Sequence, residues 1–225
     1  MNARRGPLTD GESWTQAELH RLREAAWTPR ATVAFLRAAQ TRANLTRRRR
    51  PDLGRQEARW MLAGTAAWAI SVRALPTGPL ARASGRGLLW WGGCALMLDW
   101  HLGMLETPDG RPVGLGVPDA LTLTRAWLVP AVSQYPHPSL LLIGAATDFA
   151  DGVMARRTRC TRFGRDLEGL VDACFAAAAL RALVRAGALS PLPAALEQAR
   201  LLAGVAYSTG VYFATGRAPD REVQG

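Results

Sequence analysis

The chain has 225 residues, with 28 basic and 18 acidic side chains and a formal net charge of +10. Every one of the 28 basic residues is arginine, and that surplus calls for an anionic partner: phospholipid headgroups, nucleotide phosphates or nucleic acid. Cys94, Cys160 and Cys174 are scattered and form no C-x-x-C pair, which excludes a disulfide framework and a cysteine zinc site.

Residues 1–56 are polar and arginine-rich, and read as a basic amphipathic cytoplasmic arm. A short helix is predicted from Ser13, with that serine as its N-cap. A second amphipathic stretch starts at Pro29, carries Val33, Phe35, Leu36 and Leu45, and ends in Arg47 to Arg50 before Pro51. A basic amphipathic helix followed by a charge run suits an anionic membrane surface, and equally a solvated helix with a connector. Nothing in residues 1–55 has the apolar core of a signal peptide, so insertion is expected from internal segments.

Six apolar segments follow, at 60–72, 87–105, 120–135, 139–155, 167–188 and 192–215. All are rich in Ala, Gly and Leu and are separated by Pro, Gly and Arg. None is a clean bilayer span of about 20 apolar residues, and the mean hydropathy of −0.02 is low for a membrane protein. The alternation of strands is absent. The expected class is all-α: a polytopic transmembrane helical bundle of about five to six membrane helices with a polar N-terminal arm. Its expected parts are the arm at 1–56, two apolar helices at 57–110, a membrane core at 117–216 and a tail at 217–225. Arg156, Arg157, Arg159, Arg162 and Arg165 crowd one connection, which the positive-inside rule places on the cytoplasmic side. Arg181 and Arg185 conflict with that rule unless they snorkel or sit inside the bundle.

The chemistry concentrates in 148–172. Asp148, Asp151, Gly152 and Ala155 share one helical face, at i, i+3, i+4 and i+7. Gly164, Glu168 and Asp172 share another, at i, i+4 and i+8. A short basic turn predicts that the two helices are antiparallel neighbours with their carboxylates opposed. Four opposed carboxylates repel unless cations intervene. Hard divalent ions with oxygen ligands suit them, two of which would orient a phosphoryl group. Arg156 suits phosphate oxygens. The structural alternative for the carboxylates is salt bridging to nearby arginines.

The run Asp148-x-x-Asp151-Gly152-x-x-Ala155-Arg156, then Gly164-x-x-x-Glu168-x-x-x-Asp172, resembles the signature of the CDP-alcohol phosphatidyltransferase family. Upstream, Pro118-Asp119-x-Leu121-Thr122-Leu123-x-Arg125-x-x-Leu128 resembles the segment that opens the family's first core helix. The resemblance covers about residues 117–172. It implies an integral-membrane helical bundle, often a homodimer, that uses Mg2+ or Mn2+, a pair of ions. A CDP-linked lipid or alcohol such as CDP-diacylglycerol is the implied donor, and an alcohol hydroxyl the acceptor, with CMP released in phospholipid biosynthesis. The expected location is the bacterial cell membrane, with the active site at the cytoplasmic side and anionic lipids, not nucleic acid, as neighbours.

By resemblance Asp148, Asp151 and Glu168 are metal ligands, and Asp172 ligates or acts as general base. Gly152, Ala155 and Arg156 line the CDP site, Gly164 permits close approach, and Arg125 contacts phosphate. Three positions depart from the pattern. Glu168 stands where the family has Asp, Asp119 replaces Asn, and seven residues separate Arg156 from Gly164, one fewer than in the pattern. Only 53 residues follow Asp172, fewer than the family's usual helices need. A catalytically impaired relative acting as a membrane scaffold or binding protein is the alternative reading. A soluble nucleic-acid binder would explain the charge but not the carboxylate faces. Asp99 and His101, around Trp100, read as an interfacial helix end, with an accessory role as the alternative.

Overall fold

A computed structural model describes residues 8–107, 110–155 and 162–215, with the backbone alone at 151–155 and 162–166. Among the described residues the chain is all-α, as expected: eight α-helices, a 3-10 turn at Leu102–Met104 and a single bridge between Glu106 and Pro112. Each apolar segment of the sequence coincides with one helix, because the Pro, Gly and Arg punctuation sets the helix ends.

Helix α1 (Asp10–Glu24) begins earlier than the Ser13 cap predicted. Thr9 caps it instead. Its hydroxyl accepts from the Glu12 N–H at 3.2 Å, and Glu12 accepts from the Thr9 N–H at 2.9 Å. This reciprocal box satisfies two N–H groups that no helical carbonyl can reach. Helix α2 (Pro29–Arg49) starts at Thr28, whose side chain accepts from the Ala31 N–H. The two helices are not a detached arm. Gln16 donates to the Thr215 carbonyl at 2.6 Å, and Arg23 to those of Phe213 and Ala214, where helix α8 (Pro191–Thr215) ends. A guanidinium at that end satisfies carbonyls left without helical partners and opposes the negative pole of the helix.

Helix α3 (Pro51–Ala74) runs without a break through residue 56, where the arm was expected to end. It pairs with α4 (Pro79–Trp100) through a reciprocal exchange of tryptophan for glycine. The Trp91 ring lies on Gly64, and the Trp68 ring lies on Gly87; a Cβ at either glycine would overlap the ring. The pairings 64–91 and 68–87 share one antiparallel register, one helical turn apart. Trp91 Nε1 also donates to the Met61 carbonyl at 3.2 Å. Trp68 and Trp91 are both buried.

Helix α5 (Val117–Gln134) is the centre of the bundle, packing on α7 (Arg162–Arg185), α6 (Pro138–Ala155) and α4. Its buried residues, among them Leu123, Ala126, Leu128 and Val132, surround the helix, the pattern of a core helix. Pro130 has no N–H, so the Ala126 carbonyl loses its partner four residues on. Trp90 Nε1 supplies one from α4 at 2.7 Å. Trp127 Nε1 donates in turn to the Gly64 carbonyl of α3 at 2.9 Å. At the far end of α5, Arg185 donates to the Ser133 carbonyl. Arg185, one of the two residues whose placement conflicted with the arginine rule, thereby acts as a helix-end cap.

Leu53, Leu98, Leu102, Leu105, Leu115 and Leu123 form one buried cluster, with Trp60, Met61 and Leu167 packed against it. This cluster fixes the starts of α3, α5 and α7 at one end of the bundle. Among the described residues no helix is long and apolar enough to cross a membrane.

Candidate functional site: a carboxylate seam on the central helix

Asp148 and Asp151 belong to α6, and Glu168 and Asp172 to α7. Asp148 is exposed, and Glu168 and Asp172 are part-buried. The negative charges of Asp148 and Glu168 both act on Asp172, so three of the four predicted carboxylates gather at one seam, within Coulombic reach. A second contact fixes the alignment. Gly144 of α6 faces the Phe175 ring of α7 so closely that a Cβ would overlap it. Gly144 lies one turn before Asp148, and Phe175 about one turn after Asp172. The two pairings therefore agree on one antiparallel register.

The helices meet differently from the prediction. Both α6 and α7 pack mainly on α5, and they touch each other only sparingly. The seam therefore lies over α5 more than in a direct two-helix interface. The small residue that admits close contact among the described side chains is Gly144, which the sequence reading passed over. Its position one turn from Asp148, on the same face, was an available signal. Side chains at Asp151, Gly152, Ala155 and Gly164, and all of Arg156, lie outside the described residues.

Arg125 projects from α5 into this seam. It is 1% exposed, and its Nε lies 2.7 Å from Asp172 Oδ1. Arg125, for which a phosphate contact was implied, forms an ion pair here with the last carboxylate of the signature. A buried charge of this kind is tolerable only when paired. Two carboxylates beside Asp172 repel its charge and Arg125 attracts it, so the guanidinium holds together a group that its neighbours push apart. The salt-bridge alternative therefore describes Asp172, and it leaves Asp148 exposed.

Asp119 has a local role. It is buried and its Oδ2 accepts from the Gly116 N–H at 2.7 Å. The residue that replaces the pattern's Asn thus caps the central helix, and its charge favours the positive pole there. Among the described residues no group of three or more His, Cys, Asp or Glu is placed to hold a metal ion. The donor set itself is hard carboxylate oxygen, the chemistry that magnesium and manganese take.

Residues 115–217 match the family model of the CDP-alcohol phosphatidyltransferases. The resemblance read from the signature is shown for that segment, which runs from the start of α5 past the end of α8. Neither the curated proteins nor the solved structures gave a match. The matched segment contains Arg125 and all four signature carboxylates, whereas α1 to α4 lie outside it. The match supports transfer of a phospho-alcohol group from a CDP-linked donor as the general chemistry.

Asp99, outside the segment, serves the packing of α2. Asp99 accepts from Gln40 at 2.8 Å and pairs with Arg47, while Trp100 Nε1 donates to Gln40 at 2.9 Å. Burial holds His101 below the ordinary imidazole range, and its Nδ1 lies 2.6 Å from the Met97 carbonyl.

Proposed function

We propose that the seam is the active site of a metal-dependent membrane transferase. It moves a phosphatidyl or related phospho-alcohol group from a CDP-activated donor to an acceptor hydroxyl. The observation that carries this reading is the gathering of Asp148, Glu168 and Asp172 on α5, inside the segment that matches the family model. In the proposed reaction the acceptor oxygen attacks the β-phosphorus of the donor. The bond from that phosphorus to the oxygen bridging to CMP breaks, CMP leaves with the electron pair, and the hydroxyl proton passes to a seam carboxylate. Asp172 is that base. Its pairing with Arg125 sets its orientation, and Arg125 offsets the negative charge that crowds the seam.

Asp148, Asp151, Glu168 and Asp172 would hold magnesium or manganese, with Glu168 reaching one methylene further than the family's Asp. Bound divalent ions would neutralise the carboxylates and polarise the phosphoryl oxygens. Gly152, Ala155, Gly164 and Arg156 would accommodate the nucleotide.

The same reading places the bundle in the bacterial membrane. Leu89 is 80% exposed, Phe149 74% and Leu192 71%, with Leu62, Ile70, Leu142 and Leu202 also exposed. Apolar surface on that scale asks for lipid or a second copy of the chain. The arginine-rich connection between α6 and α7 favours a cytoplasmic opening.

A screen of alcohol acceptors with the purified chain, CDP-diacylglycerol and magnesium, followed by lipid mass, tests the transfer. A new phospholipid with the wild type and none with Asp172→Asn is the expected result. A second reading has one observation in its favour: Asp172 is engaged by Arg125, and Glu168 departs from the family pattern. On that reading the chain is an impaired relative that retains the fold as a scaffold. Turnover that appears only in Glu168→Asp would establish it.

A further inference from the structure

The junction of α2 and α3 carries a basic concave surface that the transferase chemistry does not use. A basin of about 640 Å³ opens there, lined by Asn44, Arg47, Arg48, Gly54 and Arg55 among others. All of these precede the segment that matches the family model. The arginines of the basin divide into two kinds. Arg47 is committed: it donates to Asn44 Oδ1 at 2.7 Å and pairs with Glu57 and Asp99. It lies across Gly54, where a Cβ would overlap its chain, and so forms a fixed wall. Arg48 and Arg55 are exposed and have no ion-pair or hydrogen-bond partner among the described residues.

The acidic residues around the basin are engaged by other arginines, Glu57 and Asp99 by Arg47 and Asp52 by Arg50. The basin therefore presents two uncompensated guanidinium groups to one concave space. Ordinary surface arginines repel and spread apart. Here the helix break at Arg50–Pro51 and the wall of Arg47 hold two of them around a common volume. Guanidinium forks match the oxygens of a phosphate group in pairs, and the match is charge-assisted.

We infer that this basin binds a phosphate ester, in lipid headgroup or soluble form. Its place in the bundle gives the site a use. Leu53, one residue before Gly54, packs in the same buried cluster as Leu115 and Leu123, against which Leu167 also packs. Gln56 donates to the Leu115 carbonyl at 2.7 Å and accepts from the Leu115 N–H at 2.9 Å. The basin thus lies on the end of the bundle that holds the starts of α5 and α7, and a bound phosphate is tied rigidly to that end. This inference does not depend on turnover at the seam.

The test uses the full chain in neutral detergent micelles. Binding of phosphatidate, of phosphatidylcholine and of inorganic phosphate is measured for the wild type, the Arg48→Gln/Arg55→Gln pair and Arg49→Gln. Arg49 is an exposed neighbour that does not line the basin. The expected result is binding of phosphatidate or inorganic phosphate that weakens at least ~tenfold in the double variant, about 1.4 kcal/mol, and stays at the wild-type level in Arg49→Gln. Competition by inorganic phosphate at equal strength assigns the site to soluble phosphates; preference for phosphatidate assigns it to lipid. Each single variant, which alters one exposed side chain, is expected to show an intermediate loss. Equal binding by the double variant, or an equal loss in Arg49→Gln, reduces the effect to diffuse surface charge and overturns the inference.

Discussion

Two helix pairs in this bundle solve opposite problems. Between α3 and α4, tryptophan rings lie on glycines in a repeated register, with the Trp91 indole N–H donating to the Met61 carbonyl. Between α6 and α7, contact is sparse and the facing groups are carboxylates held by one arginine from α5. The first pair buries large aromatic surface and leaves no room for anything else. The second accepts a charge conflict that folding alone would remove. Regions that violate the rules of stable packing are where function is expected, and the rest of the molecule must hold them in place. The signature segment and the region that scaffolds it thus differ in the physics that shaped them.

The contrast can be broken most strongly at the seam. Replacing Asp148 with Asn removes a carboxylate that is exposed and bears no packing load. It is expected to lower CMP release by about 10²–10⁴-fold and to leave the melting temperature unchanged. A loss of folding instead would make Asp148 structural. Next in size is Arg125→Met, which leaves Asp172 unpaired beside two like charges. Breaking a fully buried pair costs about 3–5 kcal/mol, and here somewhat less because Asp172 is part-exposed; denaturant unfolding measures the change.

The α3–α4 pair is expected to behave in the reverse manner. Gly87→Leu pushes a side chain into the Trp68 ring and is expected to cost about 1–3 kcal/mol, read as a lower melting temperature, with CMP release per folded molecule retained. A large loss of turnover at full stability would show that the two regions are not separable. The smallest effects lie at the helix ends. Arg185→Met removes a cation from the end of α5 and is expected to cost about 0.3–1 kcal/mol. For His101, burial lowers the folded-state value, so the unfolded chain binds more protons. Stability is then full above the ordinary imidazole value of about 6.5 and falls as pH drops through it towards the folded value. His101→Gln is expected to flatten that part of the pH–melting curve.

Much of this was legible in the sequence because it is written locally. Helix positions followed from apolar runs ended by Pro, Gly and Arg. The signature carboxylates followed from spacing along single helices, since residues three and four apart share a face. What was missed is non-local. The interposition of α5 between α6 and α7, the Arg125–Asp172 pair and the tryptophan–glycine exchange each join residues distant in the chain. Nothing in the spacing of Trp68 announces that Gly87 lies beneath it. The cap of α1 is a local competition that spacing leaves open: Thr9 has Glu12 and Ser13 has Gln16 three residues on, and the Thr9–Glu12 box is the one that forms.

The central claim is that the seam transfers a phospho-alcohol group from a CDP-linked donor. Its most direct measurement is CMP release by the purified, folded chain with CDP-diacylglycerol and a mixture of alcohol acceptors, before and after chelation of divalent ions. The account predicts CMP in step with new phospholipid, lost on chelation and restored by magnesium or manganese. Absence of CMP with every acceptor and either metal, from protein that melts cooperatively, would contradict it.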